Sequence, residues 1–390
     1  MWFFSPRIFF GEESLENLET IQGRKALIVT GRSSIRLGYA ERVKKTLEKA
    51  DFEVSIYDRI ESEPSIDSVK KAAHFAYETE PDWVVGLGGG SYMDAAKITW
   101  LLYSHPDLAN SLDSVSPAEP LDLRENARLI AIPTTSGSGS EVTMAAVLTD
   151  TSNNRKIIIA NRELVPDIAI VDPQFVANLP PEVTANSGMD VLVHAVEAYT
   201  GQRKNHFTDA CALMAAKTVF EYLQKTYKGA VSGNEESEAR EKMHYAATLA
   251  GLAVGNSQTG LSHALGQALG SVLDIPHGKT VGILLPYVMA FNLLNPEPND
   301  AKNQYYELES QAEIEKGTLI SEVKDLLASV NISLTLKDLA IKEEIFRSNL
   351  DMMVSIAGEY PGAFLNSRTA SDDDIRRLFQ YSYEGKDIDF

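Results

Sequence analysis

Three things are scarce in this chain. There is one cysteine, Cys211, in 390 residues. No disulfide framework can form within the chain, and no thiolate cluster can hold a metal. Positive charge is short: 36 Lys and Arg stand against 55 Asp and Glu, for a net charge of −19. Nucleic acid and anionic membrane both require a basic face, so neither is expected as a partner, and the acidity reads as a solvated surface. Long apolar runs are missing too, so no segment is expected to span a membrane. The opening MWFFSPRIFFGEE is apolar but interrupted by Pro6 and Arg7. It has neither a basic n-region nor a small-residue cleavage site, and reads as an opening strand or hairpin rather than a signal peptide. A single thiol fits a reducing cytoplasm, with Cys211, in ACALMAA, expected as a small buried hydrophobe.

What is present is a globular composition, 44% apolar, long enough for two or three domains. KALIVTG (25–31), EVSIYD (53–58), WVVGLGGGS (83–91) and RLIAIPTT (128–135) read as strands. Helical spacing falls between them at 36–50, 65–80 (with Ser65 as cap) and 92–104. That alternation predicts a parallel sheet covered on both faces. EVTMAAVLTD, KIIIA and DIAIVD, within 141–172, add strand signals punctuated by Asn-Asn and Pro-Asp. Beyond about residue 181 the pattern is helical at 186–201, 206–228, 236–254, 256–272 and 304–390, with SGNEESEAREK (232–242) as an exposed charged loop. The expected organisation is an α/β domain over 1–182 with a Rossmann-like parallel sheet, then an all-α domain over 183–390.

Two loops follow strands in the first domain. GLGGGSYMDAAK (86–97) opens a helix after a strand, where backbone N–H groups can face a phosphate. Its glycines are consecutive, so it is not the G-x-G-x-x-G fingerprint, and a tight strand-to-helix turn would look the same. PTTSGSGSEVT (133–143) is rich in hydroxyls. Two such loops at the carboxyl ends of parallel strands suggest a long ligand with several phosphates.

GMDVLVHAVEAY (188–199) poses a different question. It is built like a core helix, yet Asp190 and His194 lie one turn apart on one face. LSHALGQALG puts His263 on the inward side of another apolar helix, and IPHGKT puts His277 at a turn after a proline. One carboxylate and three imidazoles suit Zn²⁺ or Fe²⁺. Alternatively, Asp190 bonds His194 within its helix and the other two histidines are unrelated.

Together these stretches resemble the iron-containing alcohol dehydrogenase family over nearly the whole chain. GLGGGSYMDAAK is similar to its GGGSxxDxAK motif, IPTTSGSGSEVT to its PTTxGTGSEVT loop and GMDVLVHAVEAY to its GxDALxHAxEAY helix. HALGQALGSVLDIPHG carries its last two histidines, fourteen apart. The resemblance implies a dehydroquinate synthase-like architecture and a divalent metal, Fe²⁺ before Zn²⁺, on Asp190, His194, His263 and His277. Glu197 would back the ligands or serve structure. The implied reaction is reversible hydride transfer between a nicotinamide and a metal-bound primary alcohol or diol, with no side-chain catalyst assigned. Gly89, Gly90, Ser91 and Asp94 would serve the pyrophosphate, and Thr134, Thr135 and Ser138 the phosphates and nicotinamide half. Lys156 would lie near the nicotinamide ribose, or be a solvated strand lysine.

At the family position that sets cofactor choice, Gly31 stands in place of an acid, followed by Arg32, Ser33 and Ser34. That favours NADP over NAD, although Asp58, ending the second strand, is a cue for NAD. Many members carry a histidine where this chain has Gln267. Thr143, Ala145 and Val254, with Gln267, are expected to line the substrate pocket. Apolar Met144, Ala145 and Ala146 point to short or medium alcohols and aldehydes or a diol. The resemblance also implies a homodimer or larger assembly. Two other readings stay open: a zinc polyol dehydrogenase like glycerol dehydrogenase, or a non-catalytic NADP-binding sensor with a structural metal. A dehydroquinate synthase would need more basic residues near the ligands than Lys279 alone.

Overall fold

The computed structural model describes residues 3–151, 155–234, 237–294 and 301–390. The chain divides into two compact units, Met1–Ala177 and Asn178–Phe390. The expected Asn153-Asn154 turn and part of the charged 232–242 loop lie outside the described residues.

The first unit holds strands β1 (Arg7–Phe10), β2 (Lys25–Val29), β3 (Glu53–Tyr57), β4 (Trp83–Gly88), β5 (Arg128–Pro133), β6 (Ala145–Asp150), β7 (Arg155–Ala160) and β8 (Ile168–Val171). Its helices are α1 (Arg32–Arg36), α2 (Tyr39–Lys49), α3 (Ile66–Thr79) and α4 (Gly90–Ser104). Six strands form one sheet in the order β1-β8-β5-β4-β2-β3, every pair parallel. Alternate residues feed two cores. Leu27, Val29, Val84 and Leu129 pack with α3 and α4, while Ala26, Ile28, Val85 and Ile130 pack with α2. This two-sided burial explains the near-continuous aliphatic runs. β6 and β7 pair antiparallel as a separate hairpin.

The N-terminal segment forms a strand rather than a hairpin: β1 runs parallel to β8, with Arg7 opposite Ile168. The strand signal at 141–150 is shortened, because Ser140–Val142 makes a 3-10 turn and pairing starts only at Ala145. Chain order moves from β2 outward to β3, returns past β2 to β4, and continues away through β5 and β8. The direction therefore reverses between β2 and β4, and the carboxyl ends of strands at such a reversal are where this class of sheet binds ligands.

The second unit is helical: α5 (Pro181–Thr200), α6 (His206–Ser232), α7 (Ser237–Ser257), α8 (Leu261–Leu273), α9 (His277–Leu294), α10 (Ala301–Gln311), α11 (Leu319–Ser329), α12 (Glu343–Glu359), α13 (Pro361–Leu365) and α14 (Asp372–Glu384). α5 begins with Pro181 in its first turn and is buried on every side from Gly188 to Thr200, which accounts for its apolar character all round. Cys211 is half-buried rather than buried, packed at the rim of the helical core.

Arg240 and His244 lie one turn apart on α7, both buried. Arg240 donates to Thr184 Oγ1 at 2.7 Å, tying α7 to the start of α5. Burial, and then the Arg240 charge, lowers the His244 pKa from its ordinary 6.5 to about 3. The unfolded chain therefore binds one more proton than the folded one between these values. Stability is lost as pH falls through that window, by up to about 1.4 kcal/mol per pH unit. His244→Gln is expected to flatten the pH dependence of the urea-unfolding free energy across the window. A slope matching the unsubstituted protein would show that the imidazole is not held neutral.

Candidate active site

Asp190 and His194 face one way from α5. His263 sits in the first turn of α8, and His277 is the first residue of α9, not part of a free turn. Their side chains converge. The Nε2 atoms of His263, His277 and His194 lie 3.5, 3.7 and 3.8 Å from Asp190 Oδ1. His263 stacks on His194 with ring centroids 4.6 Å apart. Asp190, His263 and His277 each bring a ligand atom within 4.8 Å of the others. Among the described residues, Asp190 Oδ1 and His263 Nε2 are buried without a hydrogen-bond partner. These separations are long for hydrogen bonds. Donors about 2.0–2.2 Å from one shared cation, placed tetrahedrally, lie roughly 3.3–3.6 Å apart, so Asp190, His263 and His277 fit a divalent metal, while His194, 3.8 Å from Asp190, stands outside that mutually close set. Burial alone would raise the Asp190 carboxyl, but the His194, His263 and His277 imidazoles outweigh it and hold it well below the usual carboxylate range.

Glycine lets α9 approach. A Cβ at Gly278 would fall 2.1 Å from the Asn186 carbonyl oxygen of α5, so no side chain at 278 fits while His277 reaches Asp190.

Glu197, two turns beyond Asp190, supplies what the ligand spacing alone does not reveal. Its Oε2 accepts from Gly260 N at 2.7 Å and His263 Nδ1 at 2.6 Å. Its Oε1 accepts from Ser262 N at 2.6 Å and His263 N at 3.2 Å. One carboxylate thus satisfies amides at the start of α8, where Gly260 offers no side-chain cap. It also fixes the His263 tautomer and leaves Nε2 turned to Asp190. Burial would lower His263, yet Glu197 and then Asp190 raise it to about 9.

Around this cluster lie residues that periodicity did not single out. Asn186, one turn before Asp190, has its Oδ1 buried without a hydrogen-bond partner among the described residues, as does Gln267 Nε2, one turn after His263. Thr259 donates to the Tyr360 hydroxyl at 3.5 Å. Burial, with the Glu197 and Asp190 carboxylates adding to it, pushes that phenol up. Gln267 was already expected in the pocket from the family resemblance; for Asn186 the advance signal was polarity one helical turn from a ligand, and Tyr360, before a proline, gave none. Val254 is buried in the helical core.

In the first unit, the ends of β2, β4 and β5 are neighbours. Thr30 donates to Leu87 O at 2.7 Å, and Thr134 N to Gly88 O at 2.9 Å. The turns carrying Gly31–Ser34, Gly89–Ser91 and Thr134–Ser138 therefore share one sheet edge. A Cβ at Gly90 would fall 2.7 Å from Ser138 Oγ. Arg32 is exposed, Ser33 half-buried and Ser34 buried, with Asp58 half-buried at the end of β3. Asp94 uses both oxygens internally, accepting from Ser140 Oγ at 2.6 Å and Val147 N at 2.9 Å. Lys156 lies opposite Thr149 in the hairpin and 3.6 Å from Glu63. Thr143 and Ala145 are half-buried, whereas Ala146 points into the core.

Comparison with known proteins shows the family to which this fold belongs. Residues 5–173 match the family model of iron-containing alcohol dehydrogenase, and 184–383 that of the family's C-terminal region. The NADPH-dependent butanol dehydrogenase of Clostridium saccharobutylicum is 36% identical over the full length of both chains. A solved iron-containing alcohol dehydrogenase from Thermococcus thioreducens superposes with a TM-score of 0.91 at 34% identity, covering 99% of this chain and 100% of that one. A solved 1,3-propanediol oxidoreductase gives 0.85 at 30%, covering 98% and 99%. Against the aldehyde-alcohol dehydrogenase 2 of Entamoeba histolytica, the chain spans 46% of the longer protein. Fold and site thus define a metal-dependent alcohol dehydrogenase, an oxidoreductase acting on CH–OH. The chain belongs to the iron-containing alcohol dehydrogenase family, with the divalent metal and nicotinamide cofactor that membership implies.

Glu197→Ala would leave three amides and the Nδ1–H of His263 without their acceptor. The expected loss is at least about 3 kcal/mol of unfolding free energy by urea titration. A loss within about 0.5 kcal/mol would mean that the start of α8 is held by other groups.

Proposed function

We propose that this chain interconverts primary alcohols of short to medium length, or diols, with their aldehydes. It would use NADP in preference to NAD and hold its metal, Fe²⁺ before Zn²⁺, on Asp190, His194, His263 and His277. The observation that carries this reading is the buried Asp190 oxygen, unpartnered in a ring of three imidazole nitrogens. When bound, the cation supplies the Lewis acidity that favours the deprotonated form of an alcohol, and the nicotinamide supplies the hydride acceptor.

The protein's own groups do the rest. Asp190 stays ionised at neutral pH and offers a permanent negative charge. Glu197 holds the Nδ1 proton of His263, and the proton that the Glu197 and Asp190 carboxylates otherwise hold on Nε2 would be displaced on binding a cation. Gln267 can donate a hydrogen bond but cannot titrate, so no proton relay runs through that side chain. In the first unit, the backbone amides of Gly89–Ser91, at the start of α4, take the pyrophosphate, aided by the hydroxyls of Thr134, Thr135 and Ser138. Arg32 and Ser33, with Gly31 leaving room, take a 2′-phosphate. The cofactor named for the butanol dehydrogenase relative supports that choice, and Asp58 opposes it. A cytoplasmic homo-oligomer is the setting the single thiol and the family suggest; among the described residues no helix is long and apolar enough to cross a membrane.

Chelation should lower turnover of butanol or propanediol by at least about 100-fold, with recovery on adding Fe²⁺. Asp190→Ala should lose both bound metal and turnover. Full activity in metal-free protein would overturn the assignment. The kcat/KM for NADP should exceed that for NAD by at least about tenfold, a difference of about 1.4 kcal/mol in transition-state stabilisation. Equal or better use of NAD would reverse the cofactor choice.

A further inference from the structure

We propose that the buried Lys97–Asp94 pair of α4 is a positioning device that sets the dinucleotide loop against the start of that helix. This rests on reading 134–143 as the dinucleotide loop. The Lys97 side chain has no solvent exposure. Its ammonium donates to Thr143 O at 2.9 Å, Thr143 Oγ1 at 3.2 Å and Ala145 O at 2.8 Å. Asp94, one turn earlier and 4.0 Å away, accepts from the Ser140 hydroxyl and the Val147 amide. Two side chains of one helix therefore grip residues 140, 143, 145 and 147.

Burying an ammonium costs several kcal/mol unless it is paired and fully bonded, and a methionine would fill the same space without that cost. Here all three donors of the ammonium are used. Burial is strong enough to lower Lys97 to about 8, against the pull of Asp94 and Glu141. Ala145 and Val147 already pair with β7, but the part of the gripped stretch before the hairpin has one 3-10 turn, over Ser140–Val142, as its only regular backbone structure among the described residues. The grip also reaches forward. Ser140 N donates to Ser138 Oγ at 3.3 Å, and Ser138 abuts Gly90, the first residue of α4. The helix that presents its amides to the pyrophosphate thus also fixes, one and two turns further on, where the hydroxyl loop lies. Lys97 is wholly enclosed, and both oxygens of Asp94 are engaged by Ser140 and Val147, so the pair's proposed role is to place the loop rather than to touch the cofactor. They act through Ser138, Ser140 and Thr143.

The test is dinucleotide affinity, read by the fluorescence of bound NADPH in the metal-loaded protein, alongside kinetics and metal content. Lys97→Met should raise the dissociation constant for NADPH by about tenfold or more. KM for the dinucleotide should rise more than kcat falls, with metal content unchanged because the proposed ligands lie in the other unit. Ser140→Ala, which cuts one link without touching the ammonium, should weaken NADPH binding in the same direction by a smaller factor. A folded Lys97→Met protein with unchanged NADPH affinity would overturn the proposal, as a purely structural role lowers stability alone. Where Lys97→Met does not fold, Ser140→Ala decides: unchanged affinity overturns the proposal, weaker binding upholds it. If the unsubstituted protein binds neither NADPH nor NADH, the dinucleotide reading itself fails, which is a distinct outcome.

Discussion

A carboxylate oxygen enclosed with three imidazole nitrogens, and with no hydrogen bond among the described residues to satisfy it, is the constraint around which the second unit is organised. Such a group is costly in a dry interior unless a cation shares it. Three helices must arrive together for the arrangement to exist. α5 can carry Asp190 at its centre because its other faces are apolar and buried. α8 is fixed at its first turn by Glu197, whose four accepted hydrogen bonds join a helix start and a ligand histidine in one contact. α9 comes close because residue 278 has no side chain. Remove any one of these and the nitrogen–oxygen separations of 3.5–3.8 Å would not hold.

Much of this was legible in the sequence because the period of the apolar residues matched the burial. β2, β4, β5 and β8 are buried on both faces and appear as unbroken aliphatic runs. The helical spacing of α3 and α5 was clear for the same reason, and Ser65 caps α3 by accepting from Ser68 N. What could not be read were features set by partners distant in the chain. The opening stretch reads as a strand or a hairpin, and it is β8 lying beside it that decides for a single strand. Glu141 and Val142 looked extended from composition, yet the backbone turns over Ser140–Val142, where the Ser140 hydroxyl donates to Asp94. His277 follows a proline and reads as a turn, but the helix begins on it. The double duty of Glu197 depends on Gly260, sixty-three residues away, and no local pattern announces that.

The GGGSxxDxAK-like stretch shows how one motif can hold two kinds of residue. Gly89, Gly90 and Ser91 lie where a ligand can approach the backbone. Asp94 and Lys97 belong to the same motif, but the structure turns both inward, onto the loop that follows β5. Motif membership told where chemistry was to be expected, and burial separates residues placed to touch a ligand from residues that hold others in place. The same distinction divides Ala145, half-buried, from Ala146, which fills the core behind it.

The acidity of the chain bears on how it can hold an anionic cofactor at all. A net charge of −19 repels a dinucleotide at long range, although salt confines that repulsion to about 8 Å at physiological ionic strength. The two loops at the sheet edge, GLGGGS and PTTSGSGSEVT, contain no lysine or arginine. At the proposed site, attraction for the pyrophosphate would therefore come from backbone amides, the start of α4 and hydroxyl groups, with Arg32 beside them for a 2′-phosphate; the amides and hydroxyls act over one or two bond lengths and only if correctly placed. A site of that kind tolerates little looseness, because a misplaced amide cannot reach out as a flexible lysine can. This is why a buried ammonium, spent entirely on fixing the loop, is consistent with a surface that has so little positive charge to offer.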